Sequence, residues 1–190
     1  CALPILSSSP EVELRGLVGN GATELLRLAR GEDDSEVEAA RQAKSLSSEQ
    51  TFATDVSDPV ILLAVLLEQV EEVAQRLRRR QLKARTVTLK LRYGDFRTVT
   101  RSETLGEATN LTQVLWATAE RVFRQWQQSA SGALRLLGFG ATGLESQEAG
   151  QATLFPDPQA EKLERLDRAM DAIRDRYGRR AVHRGNRPAE

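Results

Sequence analysis

Basic residues are concentrated in one part of this chain, between residues 76 and 101. The stretch holds ten arginines and lysines but one acid, Asp95, although the 190 residues together carry 27 bases, 27 acids and no net charge. The bases are Arg76, Arg78, Arg79, Arg80, Lys83, Arg85, Lys90, Arg92, Arg97 and Arg101. A local basic stretch is typical of a surface that binds a polyanion. The alternative is an ordinary solvated surface, which is the better interpretation of an arginine run taken alone.

Part of this stretch alternates strictly between apolar and polar residues. RTVTLKLRY (85–93) places Val87, Leu89, Leu91 and Tyr93 on one face, and Thr86, Thr88, Lys90 and Arg92 on the other. This period of two predicts a strand. Gly94-Asp95 predicts a two-residue turn, and FRTVTRSETL (96–105) the returning strand. The hairpin would then have one face for the core and one basic, hydroxyl-bearing outer face.

The predicted register of this hairpin is the strongest argument for anion binding. If Tyr93 pairs with Phe96, both rings lie on the inner face. On the outer face Arg97 then lies opposite Arg92, and Arg101 lies opposite Thr88. Like charges directly opposite each other destabilise a sheet. A phosphate backbone lying across the outer face would relieve that repulsion. Threonine, serine, lysine and arginine are the side chains that contact phosphate oxygens without selecting a base sequence.

The neighbouring segments predict the elements that would position this hairpin. Residues 44–54 look extended, with Leu46 and Phe52 on one face, and a helix begins at Pro59 with Asp58 as its N-cap. NLTQVLWATAERVFRQWQQ (110–128) predicts a second amphipathic helix, and ALRLLGFGATGL (133–144) a last strand. The buried stripes would be Leu62, Leu66, Val70, Val73 and Leu77, and Leu115, Ala119, Val122 and Trp126. The order predicts an α+β fold: a four-stranded β-α-β-β-α-β sheet with both helices on one face.

The sequence contains no recognisable catalytic or metal-binding motif. His183 is the only histidine and lies in a polar tail, and neither GxSxG nor a P-loop occurs. The predicted outer face also lacks aromatic residues, which disfavours an RNA-binding or single-strand-binding module. No apolar run approaches the roughly 18–20 residues of a membrane span. The single cysteine, Cys1, suits a reducing compartment, so we expect a cytoplasmic protein.

Several segments together resemble one protein family. KSLSSEQTFATDVSD (44–58), LKARTVTLKLRYGDFRTVTRSETL (82–105) and ALRLLGFGATGL (133–144) resemble the little-finger domain of Y-family translesion DNA polymerases of the polymerase IV type. GATELLRLARGEDDSEV (21–37) resembles the end of the preceding thumb domain. The resemblance implies a bacterial protein of DNA damage bypass that acts at the nucleoid as a monomer.

The resemblance also implies which residues contact DNA, since the family's little finger lies along the major groove and holds both backbones. The implied partner is primer-template DNA. Carried over by position, the contacts are Lys44, Ser45, Ser47, Thr86, Thr88, Lys90, Arg92, Arg97, Arg101 and Arg135. The family's catalytic acids and magnesium ions belong to a palm domain that these segments do not resemble. We therefore expect no catalytic residue or cofactor in this chain, with magnesium and nucleotidyl transfer left to a longer parent protein.

A second partner is implied by QATLF (151–155), which resembles the short motif that binds the bacterial sliding clamp. Gln151 would bind the rim of the clamp's pocket, and Leu154 and Phe155 would fill it. An alternative function is recruitment to the clamp by a catalytically inactive relative. The predicted division is a thumb remnant (1–40), a little finger (41–146), a linker (147–158) and a C-terminal helix with a polar tail (159–190). In that helix Leu163, Leu166, Met170, Ile173 and Tyr177 are predicted to share one packed face.

Overall fold

A computed structural model describes residues 6, 8–34, 43–130, 132–147 and 158–184. The chain divides into two compact units, Cys1–Gln42 and Ala43–Glu190. The first unit contains helix α1 (Glu11–Val18), a 3-10 turn (Gly19–Gly21) and helix α2 (Ala22–Ala29). Its small core consists of Leu14, Ala22 and Leu26.

The second unit has the predicted α+β fold. Its elements are β1 (Ser45–Val56), α3 (Pro59–Arg79), β2 (Leu82–Tyr93), β3 (Thr98–Thr109), α4 (Thr112–Ser129), β4 (Leu134–Ser146) and α5 (Pro158–Tyr177). The strand order is β1-β4-β2-β3, and every neighbouring pair is antiparallel. β1 and β2 are therefore parallel to each other with β4 between them, and β3 and β4 are parallel with β2 between them. The sheet thus consists of two interlocked split β-α-β units.

Both long helices pack as their sequences predict, and α3 also begins where its sequence predicts. The Asp58 side chain accepts a hydrogen bond of 2.8 Å from the Val60 backbone N–H, and Pro59 occupies the first helical position. All nine residues of the two predicted stripes are buried. They pack on Leu46 and Phe52 of β1 and on the inner faces of β2 and β4, forming one core. At its edge Trp126 Nε1 donates a 3.0 Å hydrogen bond to the Tyr93 hydroxyl.

The hairpin between β2 and β3 differs from the prediction by one residue. Arg92 pairs with Thr98 rather than Arg97, and Thr88 pairs with Ser102 rather than Arg101. The loop has three residues, not two, because the Phe96 N–H bonds to the Tyr93 carbonyl and the Tyr93 N–H to the Arg97 carbonyl, both at 3.0 Å. Phe96 has φ +66° and is 69% exposed, so its predicted place on the inner face is wrong. A three-residue loop with its last residue in the left-handed region is a common hairpin connection.

Helix α5 forms where predicted, but its five apolar residues do not share one packed face. Met170 is buried, whereas Leu166, Ile173 and Tyr177 are 46%, 39% and 67% exposed. Ion pairs connect the helix to the rest of the unit instead, at a distance of 2.6 Å for Arg174–Glu71 and 2.7 Å for Asp171–Arg78. Charge rather than an apolar stripe therefore attaches this helix. None of the helices that the structure describes is long and apolar enough to cross a membrane.

Candidate nucleic-acid interface

The sheet face that points away from α3 and α4 is defined by the strand registers. Residues paired across antiparallel strands lie on the same face. Leu89 pairs with Phe139 and Leu91 with Leu137, and all four are buried beneath the helices. The alternate residues therefore form the opposite face, which we call the open face. It consists of Ser45, Ser47, Glu49 and Thr51 in β1, Leu136, Gly138, Gly140 and Thr142 in β4, Thr86, Thr88, Lys90 and Arg92 in β2, and Thr98, Thr100, Ser102 and Thr104 in β3.

Hydroxyl groups and glycines dominate the open face. Every β3 residue on it is a threonine or serine, and the Thr86 and Thr104 hydroxyls lie 3.1 Å apart across the strands. Central strand β4 contributes Gly138 and Gly140, which have no side chain to hold another molecule away from the backbone. A shallow surface of short donors suits many weak contacts to phosphate oxygens rather than a deep pocket.

Two cations lie on this face, and neither is without a partner. Lys90 Nζ donates to both Glu49 carboxylate oxygens, at 3.1 and 2.9 Å. Arg92 Nε donates to the Thr98 hydroxyl at 2.9 Å. This partner is neutral, so it does not compensate the charge of Arg92. Both side chains are half-buried by neighbours on the sheet. Lys90 is therefore paired with an acid on the open face, whereas the side-chain partner of Arg92 within the described part of the chain is neutral.

Arg135 occupies a different position from the other predicted contacts. Tyr93 pairs with Leu134 and Arg92 with Leu136, so Arg135 is an extra residue at a bulge in β4. Its Nε donates to Asp55 at 2.8 Å, and its guanidinium lies 5.8 Å from the centre of the Phe96 ring. The side chain is therefore held beside the hairpin turn, at one end of the sheet.

Two predicted site residues are not on the open face. Arg101 pairs with Leu89, so it lies on the helix side of edge strand β3. The Arg97 guanidinium lies 4.5 Å from the centre of the Tyr93 ring, which also faces the helix side. Their placement on the outer face is wrong because a one-residue shift in register moves every side chain of a strand to the other face.

The same shift explains which open-face residues the sequence reasoning missed. Each β3 residue on the open face lies where the two-residue turn predicts the residue just before it. These residues are Thr98, Thr100, Ser102 and Thr104. The sequence contains a signal for them, because these four hydroxyl residues alternate with Val99, Arg101, Glu103 and Leu105. With a loop of three residues instead of two, this alternation would have placed the hydroxyl residues on the open face. Of the remaining predicted contacts, Ser45 and Ser47 lie on the open face and Lys44 is exposed just before β1. Gln151, Leu154 and Phe155 lie outside the described residues.

The opposite side of the unit is dense in paired charges. Arg76 Nη1 donates to the Ser47 carbonyl at 2.7 Å, and Glu72 accepts from the Ser48 hydroxyl at 3.1 Å and from Arg179 at 3.0 Å. Burial tends to raise the pKa of Glu72, but the hydrogen bonds from Arg179 and Ser48 and the nearby Arg76 charge outweigh burial and lower this pKa below its ordinary value of 4.5. Among the described residues no three His, Cys, Asp or Glu side chains are grouped to hold a metal ion.

Comparison with known proteins identifies the family. The model of the impB/mucB/samB family C-terminal domain matches residues 43–154. The chain is 36% identical over 161 residues to DNA polymerase IV 1 of Mesorhizobium japonicum, covering 85% of this chain and 36% of that protein. It is 36% identical over 180 residues to DNA polymerase IV of Dehalococcoides mccartyi, covering 95% and 45%, and 33% identical over 185 residues to that of Bacillus anthracis, covering 95% and 44%.

The chain thus spans less than half the length of these relatives. Its matched domain begins at residue 43, at the start of the second compact unit. The resemblance to Y-family polymerases of the polymerase IV type is confirmed by these matches. We call the second compact unit, Ala43–Glu190, the sheet unit, and its residues 43–154 match that family's C-terminal domain. The chain therefore belongs to the impB/mucB/samB family.

Proposed function

We propose that the sheet unit holds duplex DNA by its sugar-phosphate backbones, as the DNA-binding part of a translesion DNA polymerase. The observation that carries the proposal is the open face, where hydroxyl groups surround Lys90 and Arg92 on the side of the sheet opposite α3 and α4. The names of the relatives support DNA as the partner. Contacts of this kind position a protein on DNA but do not select a sequence.

The distribution of aromatic residues favours a duplex over a single strand. Tyr93, Phe123, Trp126 and Phe139 are buried, and none of the open-face residues is aromatic. Phe96 is exposed, but it lies in the hairpin loop beside Arg135 rather than on the sheet. Proteins that hold single strands stack bases on exposed aromatic rings. The open face offers phosphate contacts without such stacking.

The register provides a matched test of this proposal. Lys90→Ala/Arg92→Ala removes two charges from the open face, and Arg97→Ala/Arg101→Ala removes two from the helix side of the same hairpin. We expect the first pair to weaken binding up to roughly ten-fold and to reduce the slope of log affinity against log salt by about one to two. A full phosphate contact contributes about 0.9 to this slope, and Lys90, which is paired with Glu49, contributes at most that much. The second pair should have a smaller effect. Fluorescence anisotropy with several unrelated duplexes at a series of salt concentrations measures both quantities.

Two results would refute the proposal. Salt-insensitive or absent binding by the unmodified protein would show that the sheet does not hold a backbone. Equal losses in the two double variants would show that the open face is not the contact surface. A preference for single-stranded RNA over duplex DNA in competition would favour the RNA-binding alternative instead.

We further propose that Gln151, Leu154 and Phe155 bind the bacterial sliding clamp and so keep the sheet unit at the replication site. The support is the QATLF sequence and the family to which the chain belongs. The described residues that flank this motif, Gln147 before it and α5 after it, both contact the sheet unit. The Gln147 N–H bonds to the Gln81 carbonyl at 2.8 Å, and α5 is attached through Asp171 and Arg174.

Leu154→Ala/Phe155→Ala tests this tether, with Leu166→Ala/Ile173→Ala as the matched control. Both variants remove two large apolar side chains, and those of the control are exposed on α5. In a pull-down with the purified clamp, we expect the first variant to lose binding and the control to retain it. Both should bind duplex DNA as the unmodified protein does. Clamp binding retained by the first variant would contradict the role of the motif.

A further inference from the structure

Glu49 and Lys90 form an ion pair across a strand that lies between them. Glu49 belongs to β1 and Lys90 to β2, and both pair in register with Gly138 of β4. The two side chains therefore reach toward each other over the backbone of the central strand. Lys90 Nζ lies 3.1 and 2.9 Å from the two carboxylate oxygens.

Gly138 is the residue that makes this pair possible. A Cβ atom at position 138 would lie 2.7 Å from Glu49 Cγ, closer than real Cβ contacts come. Any other residue there would push the Glu49 side chain from its path to Lys90. The next open-face residue of β4 is also glycine, and there the nearest atom, Ser47 Cβ, is 3.8 Å from the corresponding position. The close approach is thus specific to the place where the ion pair crosses.

The pair lies in the middle of the proposed DNA contact surface. A phosphate that binds Lys90 must either displace the Glu49 carboxylate or share the ammonium group with it, and in both cases the phosphate lies beside the negative charge of Glu49. We infer that Glu49 limits the affinity of the open face for DNA by occupying Lys90. This inference rests on the proposed DNA binding, and it gives Glu49 the role of an affinity-determining residue rather than a structural one.

The exposure of the pair sets the size of the expected effect. The side chains are 36% and 38% exposed, so water and salt screen their attraction. Removing the carboxylate should therefore strengthen DNA binding by about two- to five-fold, the equivalent of one exposed ion pair. It should also steepen the salt dependence, adding up to about 0.9 to the slope of log affinity against log salt, since Lys90 then engages phosphate without a competing acid.

Glu49→Gln tests the inference, with Glu103→Gln as a control of equal charge. Glu103 pairs in register with Val87 and bonds Arg121 of α4 at 3.1 Å, so it lies on the helix side. Anisotropy of a labelled duplex with the full chain should show tighter binding for Glu49→Gln and a smaller change for Glu103→Gln. Unchanged fluorescence of the two tryptophans, Trp116 and Trp126, checks that the core is intact, because Trp126 is buried against Tyr93.

A third measurement tests whether Glu49 acts through Lys90. In a Lys90→Ala background, Glu49→Gln should produce a smaller gain than it does in the unmodified chain. An equal gain in both backgrounds would overturn the inference, as would equal gains from Glu49→Gln and Glu103→Gln or weaker binding by Glu49→Gln. If the unmodified chain does not bind the duplex at all, the proposed function itself fails, and the inference falls with it.

Discussion

Phe96 shows how one residue can determine the face on which a whole strand's side chains lie. It is the last residue of the three-residue loop, and its φ of +66° lies in the left-handed region that favours glycine. Its ring is 69% exposed and contacts the Arg135 guanidinium at 5.8 Å. This is a distant and solvated contact, so it compensates little of the backbone cost. The conformation places Thr98, rather than Arg97, opposite Arg92.

Phe96→Gly and Phe96→Ala separate the backbone cost from the loss of the ring. Both variants remove the aromatic ring, but only glycine adopts the left-handed region without a Cβ clash. We expect the glycine variant to be more stable than the alanine variant by about 1 kcal/mol in the free energy of unfolding. Urea denaturation followed by far-UV circular dichroism measures this difference. Equal stabilities would contradict the left-handed loop.

Helix α4 depends on a residue from another element for the start of its first turn. Its N-cap residue, Leu111, has no side chain that can accept a hydrogen bond. The Asp167 carboxylate of α5 accepts one at 3.0 Å from the Thr112 N–H, which serves as the missing cap. Asp167 is 2% exposed and also pairs with Arg78 at 3.3 Å and with Arg184. One carboxylate thus connects α3, α4 and the C-terminal segment.

Asp167→Ala should therefore be strongly destabilising. It removes the cap and one acidic partner of each of the mostly buried Arg78 and Arg184, although both arginines keep a second acidic partner. We expect these losses together to lower the free energy of unfolding by about 3 kcal/mol. Asp175→Ala is the matched control: Asp175 is on the same helix and pairs with Arg79, but their side chains are 53% and 58% exposed. We expect that control to lose at most about 1 kcal/mol. Urea denaturation of both proteins is the measurement, and similar losses would contradict the proposed connection.

At the scale of the whole sheet unit, charge and hydroxyl groups are separated onto different sides. Several bases of the 76–101 stretch lie on the helix side of the sheet and make contacts within the unit. Arg76 donates to the β1 backbone, and Arg78 and Arg79 pair with acids of α5. The open face has fewer charges and more hydroxyl groups than the sequence suggests. The basic stretch is therefore in part structural, and Lys90 and Arg92 are its members best placed for phosphate contact.

Local sequence patterns are sufficient to predict the secondary structure, the sheet-and-helix architecture and the inner face of β2. Val87, Leu89 and Leu91 are buried as predicted because burial follows from a local period of two. The same holds for the apolar stripes of α3 and α4, whose period follows the helical turn. Asp58 and Pro59 determine the start of α3 by contacts within a few residues.

Three features could be seen only in the folded unit: the register of β3, the cap that Asp167 provides and the pairing of Glu49 with Lys90. The register depends on a single loop conformation, which the Gly94-Asp95 pair does not specify. Asp167 lies 55 residues from Thr112 in the chain, and Glu49 lies 41 from Lys90. Partners this far apart are brought together by the packing of whole elements. No local pattern of residues encodes them, because the energy that selects such a pair exists only once the strands and helices are in place.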